Sequence, residues 1–160
     1  MTNLVSTRSP REKVLFTKKL TAFVVERPTM SVEKILTKTM NEVPKAVAAG
    51  VVDMATGMLL GVRTIDSHPQ EVLDLVAAAT KDLFEGDNVT TIEGVFKRTR
   101  GIETNEHYFK EIIVLSTNLV HLFGRLRSMQ SCVVVVVCRI DANLGLALMK
   151  MRAVTTTETL

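Results

Sequence analysis

Tryptophan is absent, and aromatic residues make up only 4% of the 160-residue chain. A core without large rings has to be filled by aliphatic side chains, and an apolar content of 46% supplies enough of them for one domain. Wholesale disorder is excluded at that apolar content. Strong charge of one sign is also missing, because the net charge is only +3. Much of the excess sits near the front, at Arg8, Arg11, Lys13, Lys18 and Lys19. Nucleic-acid binders carry a denser basic face interleaved with stacking rings, so a solvated basic segment is the plainer reading.

Cysteine is scarce. The two cysteines, Cys132 and Cys138, bracket a run of five valines. At ~3.3 Å per strand residue they stand roughly 20 Å apart. A disulfide needs Cα atoms within about 7 Å. They therefore read as buried thiols in a reducing compartment, and no CxxC spacing suggests a metal or redox pair. No run reaches the roughly 18 to 20 apolar residues of a membrane span. No secretion signal is visible in the scattered charges of residues 1–30, so the expected location is the cytoplasm.

Residues 1–30 show no clear period and read as a partly flexible extension. Within them Leu20–Val25 suits a short strand or a lid, and Pro28 reads as a break. Ser31 can cap a helix carrying Val32, Ile35, Leu36, Met40 and Val43 on one face. Val47–Val52, the turn Asp53-Met54-Ala55-Thr56-Gly57 and Met58–Ile65 spell a hairpin. A second helix follows Pro69, with Ser67 and Gln70 or His68 and Glu71 able to close its start and Gly86 to stop it. Val72, Leu73, Val76, Leu83 and Phe84 form its apolar stripe. Asn88–Arg100 fits a short amphipathic helix better than a strand, and 101–107 is a polar loop.

The last third is strand-rich. Phe109–Leu115 and Leu119–Leu126 flank a turn at Ser116-Thr117-Asn118. Cys132–Ile140 is the most hydrophobic run. Its β-branched residues do not alternate with polar ones, which argues for a central strand covered on both faces. Asp141-Ala142-Asn143 offers caps for a final helix through Met151, and 154–160 reads as a tail. The order predicts one five-stranded antiparallel sheet between helix layers, a three-layer α/β/α sandwich of the α+β class spanning 31–153.

The hairpin Gly50–Leu60, the long helix directly after it and the valine-rich strand running into Asn143-Leu144-Gly145-Leu146 together resemble the Roadblock (dynein light chain) family, whose fold is related to profilin. The resemblance covers roughly 31–153. It implies a non-catalytic domain that forms dimers by edge-to-edge strand pairing and by packing of the middle helices. It also implies, for bacterial-type members, the regulation or scaffolding of a small Ras-like GTPase. The chain departs from the pattern in its N-terminal extension and in extra length at 88–107.

Catalytic chemistry is not evident. Gly94-Val95-Phe96-Lys97-Arg98-Thr99 lacks the second glycine of a phosphate loop. His68, His107 and His121 have no metal-ligand spacing. His68 reads as a helix-opening residue and His121 as lying on the exposed face of a strand. Ser116 and Ser131 show no nucleophile elbow. Glu103, Glu106 and His107 match no cation loop. No cofactor, metal or catalytic residue is therefore expected.

What remains is surface for partners. Phe109–Thr117 and Met58–Ile65 are the candidate sheet edges. On the first, Lys110 and Glu111 can pair reciprocally across a two-fold axis, with Ile112 and Val114 beside them. On the middle helix Leu73, Ala77 and Thr80 can either admit a second helix or pack on the sheet. A structural subunit of a motor or signalling assembly and a small-ligand sensory domain are the alternatives to a GTPase regulator.

Overall fold

The computed structural model describes residues 28–160. In chain order the elements are α1 (Pro28–Glu42), β1 (Ala46–Asp53), β2 (Met58–Thr64), α2 (Gln70–Glu85) and α3 (Asp87–Arg100). There follow β3 (Glu111–Leu115), β4 (Leu119–Arg125), β5 (Cys132–Arg139) and α4 (Leu144–Thr157). The strands form one antiparallel sheet in the order β2-β1-β5-β4-β3. The valine run is thus the middle strand of five, as its unbroken apolar sequence predicts. The outermost strands are β2 and β3, the two expected edges.

Alternation along β5 divides the core in two. Val134, Val136 and Cys138 join Ala49 and Val51 of β1 and Val120 and Leu122 of β4 on the first face. There α1 contributes Val32, Ile35 and Leu36, and α4 contributes Ala147, Met151 and Val154. Val133 and Val135 join Val52, Met54 and Phe123 on the second face, under Ala77 and Phe84 of α2. α3 lies against α2. The arrangement is a three-layer α/β/α sandwich of the α+β class.

Two glycines position these layers. Gly57 takes φ +73° in the hairpin turn, where Asp53 also accepts from Ala55 N and Thr56 N. At Gly61 of β2 a Cβ would lie 2.7 Å from Val32 Cγ1, so α1 rests directly on backbone there.

Several local expectations need correction. α1 begins at Pro28, so the proline opens the helix, and Ser31 lies in its first turn. Leu20–Val25 lies outside the described residues. Neither Ser67 nor His68 caps α2, whose start has no side-chain cap; Gln70 Nε2 instead donates to Asp74 Oδ1 at 2.8 Å. Gly86 does end α2, in an extended conformation, its N–H donating to Asp82 O. Asn143 caps α4 as expected, accepting from Leu146 N at 3.0 Å. Residues 154–157, read as the start of a tail, continue α4. Beyond them Glu158 ion-pairs with Lys34 and Lys38 of α1, and Leu160 packs on the first core. That carboxylate is nearly buried, which explains why the chain end is held.

Candidate interaction surfaces

The two helical layers differ in how they finish their surfaces. The inward face of α2 is short: Ala77, Thr80 and Phe84. Thr80 satisfies its buried hydroxyl by donating to Val76 O at 2.7 Å. The same helix carries a second apolar row at 72, 75, 76 and 83, and these side chains meet water. Val72 is 44% exposed, Leu75 64%, Val76 45% and Leu83 42%. Their spacing is that of one helical stripe. The exposed small residues Ala78 and Ala79 lie beside it.

This corrects the reading of α2. Of the apolar stripe expected to face the core, Val72, Val76 and Leu83 are left partly exposed, the two valines along a groove over the sheet, and only Phe84 is fully buried. Ala77 and Thr80, candidates for a helix–helix contact, pack on the sheet. Leu73 is half-buried at the mouth of a groove. The row from Val72 to Leu83 was legible only as hydrophobic residues. Two apolar stripes on one helix signal two neighbours, and the chain supplies one.

β3 is the second open surface. It has five residues and pairs only with β4. Val114 and Leu115 are exposed, Ile113 is 41% exposed and Ile112 is half-buried against the second core. The charges expected to reach across a two-fold are engaged within the chain. Glu111 holds Arg152 of α4 through paired bonds of 2.7 to 3.0 Å, and Lys110 Nζ lies 2.9 Å from Glu106 Oε2. The backbone of β3's outer side remains the unpaired part of this edge.

A buried charge joins these regions. Arg125 of β4, with a side chain 3% exposed, meets Glu85 of α2 at 2.9 Å. It also donates to the carbonyls of Phe84, Phe109 and Gln130, and lies over the Phe84 ring. Next to it the buried Glu93 carboxylate accepts from Tyr108 N at 2.6 Å. His107 stands between Glu93 and Glu85, at 3.5 and 3.6 Å. So His107 turns inward while Glu103 and Glu106 stay exposed, and the loop does not gather the three. Together these groups tie α2, α3 and the segment leading into β3 to one another.

The second face also has an uncovered end. α2 leaves a groove of about 470 Å³ over β1, β2, β5 and β4, lined by Val47, Val62, Val76 and Val137 with His121 on its floor. His121 is therefore half-buried in a groove, not on an open strand face. Its Nδ1 has no hydrogen-bond partner among the described residues.

Reactive groups are muted. Burial pushes the Cys138 thiol up to about 11 and raises Cys132 as well, and both are free. Hydrogen bonds from Thr56 and the turn backbone lower the Asp53 carboxyl, a structural role in the hairpin. Among the described residues no three His, Cys, Asp or Glu side chains are arranged to hold a metal ion. Among them, too, no helix is long and apolar enough to cross a membrane.

Sheet order, the helix layers and the open β3 edge define a Roadblock-type fold. The solved structures it resembles include one of that kind. An MglB described as having a tetrameric arrangement matches with a TM-score of 0.59 and 18% identity, over 80% of this chain and 85% of that one. Myxococcus xanthus MglB matches at 0.57 and 17%, over 81% and 86%. A Roadblock/LC7 domain from Streptomyces avermitilis matches at 0.55 and 12%, over 76% and 89%. No protein-family model and no curated protein sequence matches the chain.

Proposed function

We propose that this protein is a non-catalytic, self-pairing adaptor that engages a small Ras-like GTPase. The observations that carry the reading are the water-exposed apolar row of α2 and the unpaired edge of β3. Four large aliphatic side chains in one stripe lose free energy to water unless something covers them, at about 25 cal/mol per Å². Two copies related by a two-fold axis cover both features at once: edge joins edge, and row meets row. The MglB described as tetrameric is a further reason to expect assembly. The GTPase as partner rests on the Roadblock resemblance alone, since fold does not determine function.

Light scattering over a micromolar concentration series tests the self-pairing. A dimer that L75D/V76D converts to a monomer is expected; a strict monomer in the unaltered protein overturns it. Pull-down from native lysate, with and without a non-hydrolysable GTP analogue, tests the partner. Recovery of a Ras-like GTPase supports the reading. Recovery of only filament, motor or membrane-complex components favours a structural subunit instead. The groove beneath α2 gives a small-ligand sensor some support, and a thermal-shift screen against nucleotides and metabolites would reveal it as a raised Tm.

A further inference from the structure

We infer that the C-terminal end of α3 and the loop behind it form a docking site for an acidic segment of a partner protein, anchored by one apolar side chain. This site is built from the 88–107 region with Tyr108 and Lys110 just beyond it, apart from the outer row of α2 and from β3 itself. It therefore stands or falls independently of the GTPase reading.

The site is a cleft of about 260 Å³. Its apolar wall is Phe96 stacked on Tyr108, ring centroids 4.9 Å apart and 11° from parallel, with Ile102 beside them. These are large apolar groups to leave wet: Phe96 is 38% exposed, Tyr108 46% and Ile102 48%. Tyr108 is the chain's only tyrosine. Its backbone is held in place, because the buried Glu93 carboxylate accepts from its N–H, and Phe109 O accepts from Arg125 Nε at 3.1 Å. A pinned aromatic platform loses little conformational entropy when a ligand arrives.

The rim is cationic. Lys97 and Arg100 line the cleft together with Lys110, which Glu106 of the same lining already pairs, and the Arg100 guanidinium lies 5.5 Å from the Phe96 ring centre. Several cations of the fold, Lys38, Arg63, Arg125 and Arg152, each hold a carboxylate, while Lys81 reaches only the Ala55 carbonyl. Lys97, Arg98 and Arg100, within one turn, hold none among the described residues. Complementing a helix C-terminus accounts for part of this, but that end carries only about half an elementary negative charge. Three cations exceed it severalfold. Carboxylates from outside the chain would pair Lys97 and Arg100, the two cations of the cleft that no side chain among the described residues neutralises.

An acidic peptide fits better than a nucleic-acid strand. Phe96 and Tyr108 stack on each other, so they offer one small apolar site and not a track of successive bases. Unpaired positive charge in the cleft is confined to Lys97 and Arg100, enough for a short acidic segment and too little to track a continuous phosphate backbone.

Fluorescence anisotropy on the full chain tests this, with a labelled peptide of one phenylalanine flanked by four glutamates on each side. Three controls accompany it: the same peptide with glutamine for glutamate, an oligothymidine of equal charge, and circular dichroism of each variant. Saturable binding of the glutamate peptide is expected, weakened about tenfold or more in K97E/R100E and by raising salt from about 50 to about 500 mM. R98E reverses one charge on the same turn, half the change of the double variant, but leaves the cleft untouched, and should weaken binding less than about threefold, with K97E and R100E as single-charge matches that each weaken it more. Equal binding by the unaltered protein and K97E/R100E overturns the proposal. So does equal loss in R98E, the absence of saturable binding, or tighter binding of the oligothymidine.

Discussion

The two faces of the sheet are treated differently by the same chain. On the first, α1 and α4 close over Val51, Leu122, Val134 and Val136, and even the chain end is fastened there through Glu158. On the second, one helix does the covering; it buries Ala77, Thr80 and Phe84, exposes Val72, Leu75, Val76 and Leu83, and stops short of a groove. Among the described residues the first face buries sixteen apolar residues and the second only seven. What differs is the number of helices covering each. The first face stabilises the fold, and the second leaves apolar area for something that is not this chain.

The sharpest way to break the contrast is to cut the group that holds α2 onto the second face. Arg125→Ala strands the Glu85 carboxylate and three carbonyls, at a cost of ~3–5 kcal/mol in urea unfolding. An effect below about 1 kcal/mol would show that α2 does not depend on it. Next comes a matched pair of truncations. Leu36→Ala on the first face should cost ~2–5 kcal/mol, while Leu75→Ala on the outer side of α2 should stay within about 0.5 kcal/mol in dilute monomer. Equal costs would mean the two faces are closed alike. The reverse asymmetry is expected in assembly. L75D/V76D should raise the dimer Kd about 100-fold in analytical ultracentrifugation, equivalent to ~2.7 kcal/mol.

The smallest effect is pH-dependent and belongs to the first face. Hydrogen bonds from Lys38 and Lys34 hold the Glu158 carboxyl below its ordinary value of 4.5. The unfolded chain therefore binds that proton at higher pH than the folded one. The stabilisation is complete above the ordinary value and is lost as pH falls through the lower, folded one. Lys38 is raised above 10.5 by the same carboxylate, so its share is lost only as pH rises through the raised value. Glu158→Gln should remove both limbs and cost no more than about 1 kcal/mol at neutral pH. Unchanged acid and alkaline limbs in thermal melts would remove this pair from the account.

Sheet centre, hairpin, α3 and the cap at Asn143 were readable because each rests on local chemistry: an unbroken β-branched run, an Asp-to-Gly turn, a helical period, an amide oxygen before a helix. The orientation of α2 was not, because both its stripes are apolar and only tertiary packing chooses between them. Ala77 and Thr80 win the inward position since small side chains let the helix sit close to the sheet, with Phe84 filling the far end. Arg125 and Glu85 are forty residues apart, and nothing local in either marks a buried pair. Pro28 reads equally as a break or as a first helical residue. The continuation of α4 past residue 153 depends on Lys34 and Lys38, contributed by the other end of the described chain.

Were a second copy to seal the doubly apolar α2, this protein's durability would be tied to its abundance: the copy would bind the native form and not the unravelled one, and by mass action the melting point would climb with the amount of protein present. A sparse cell would hold a looser, more protease-sensitive molecule than a crowded one, from the same gene product.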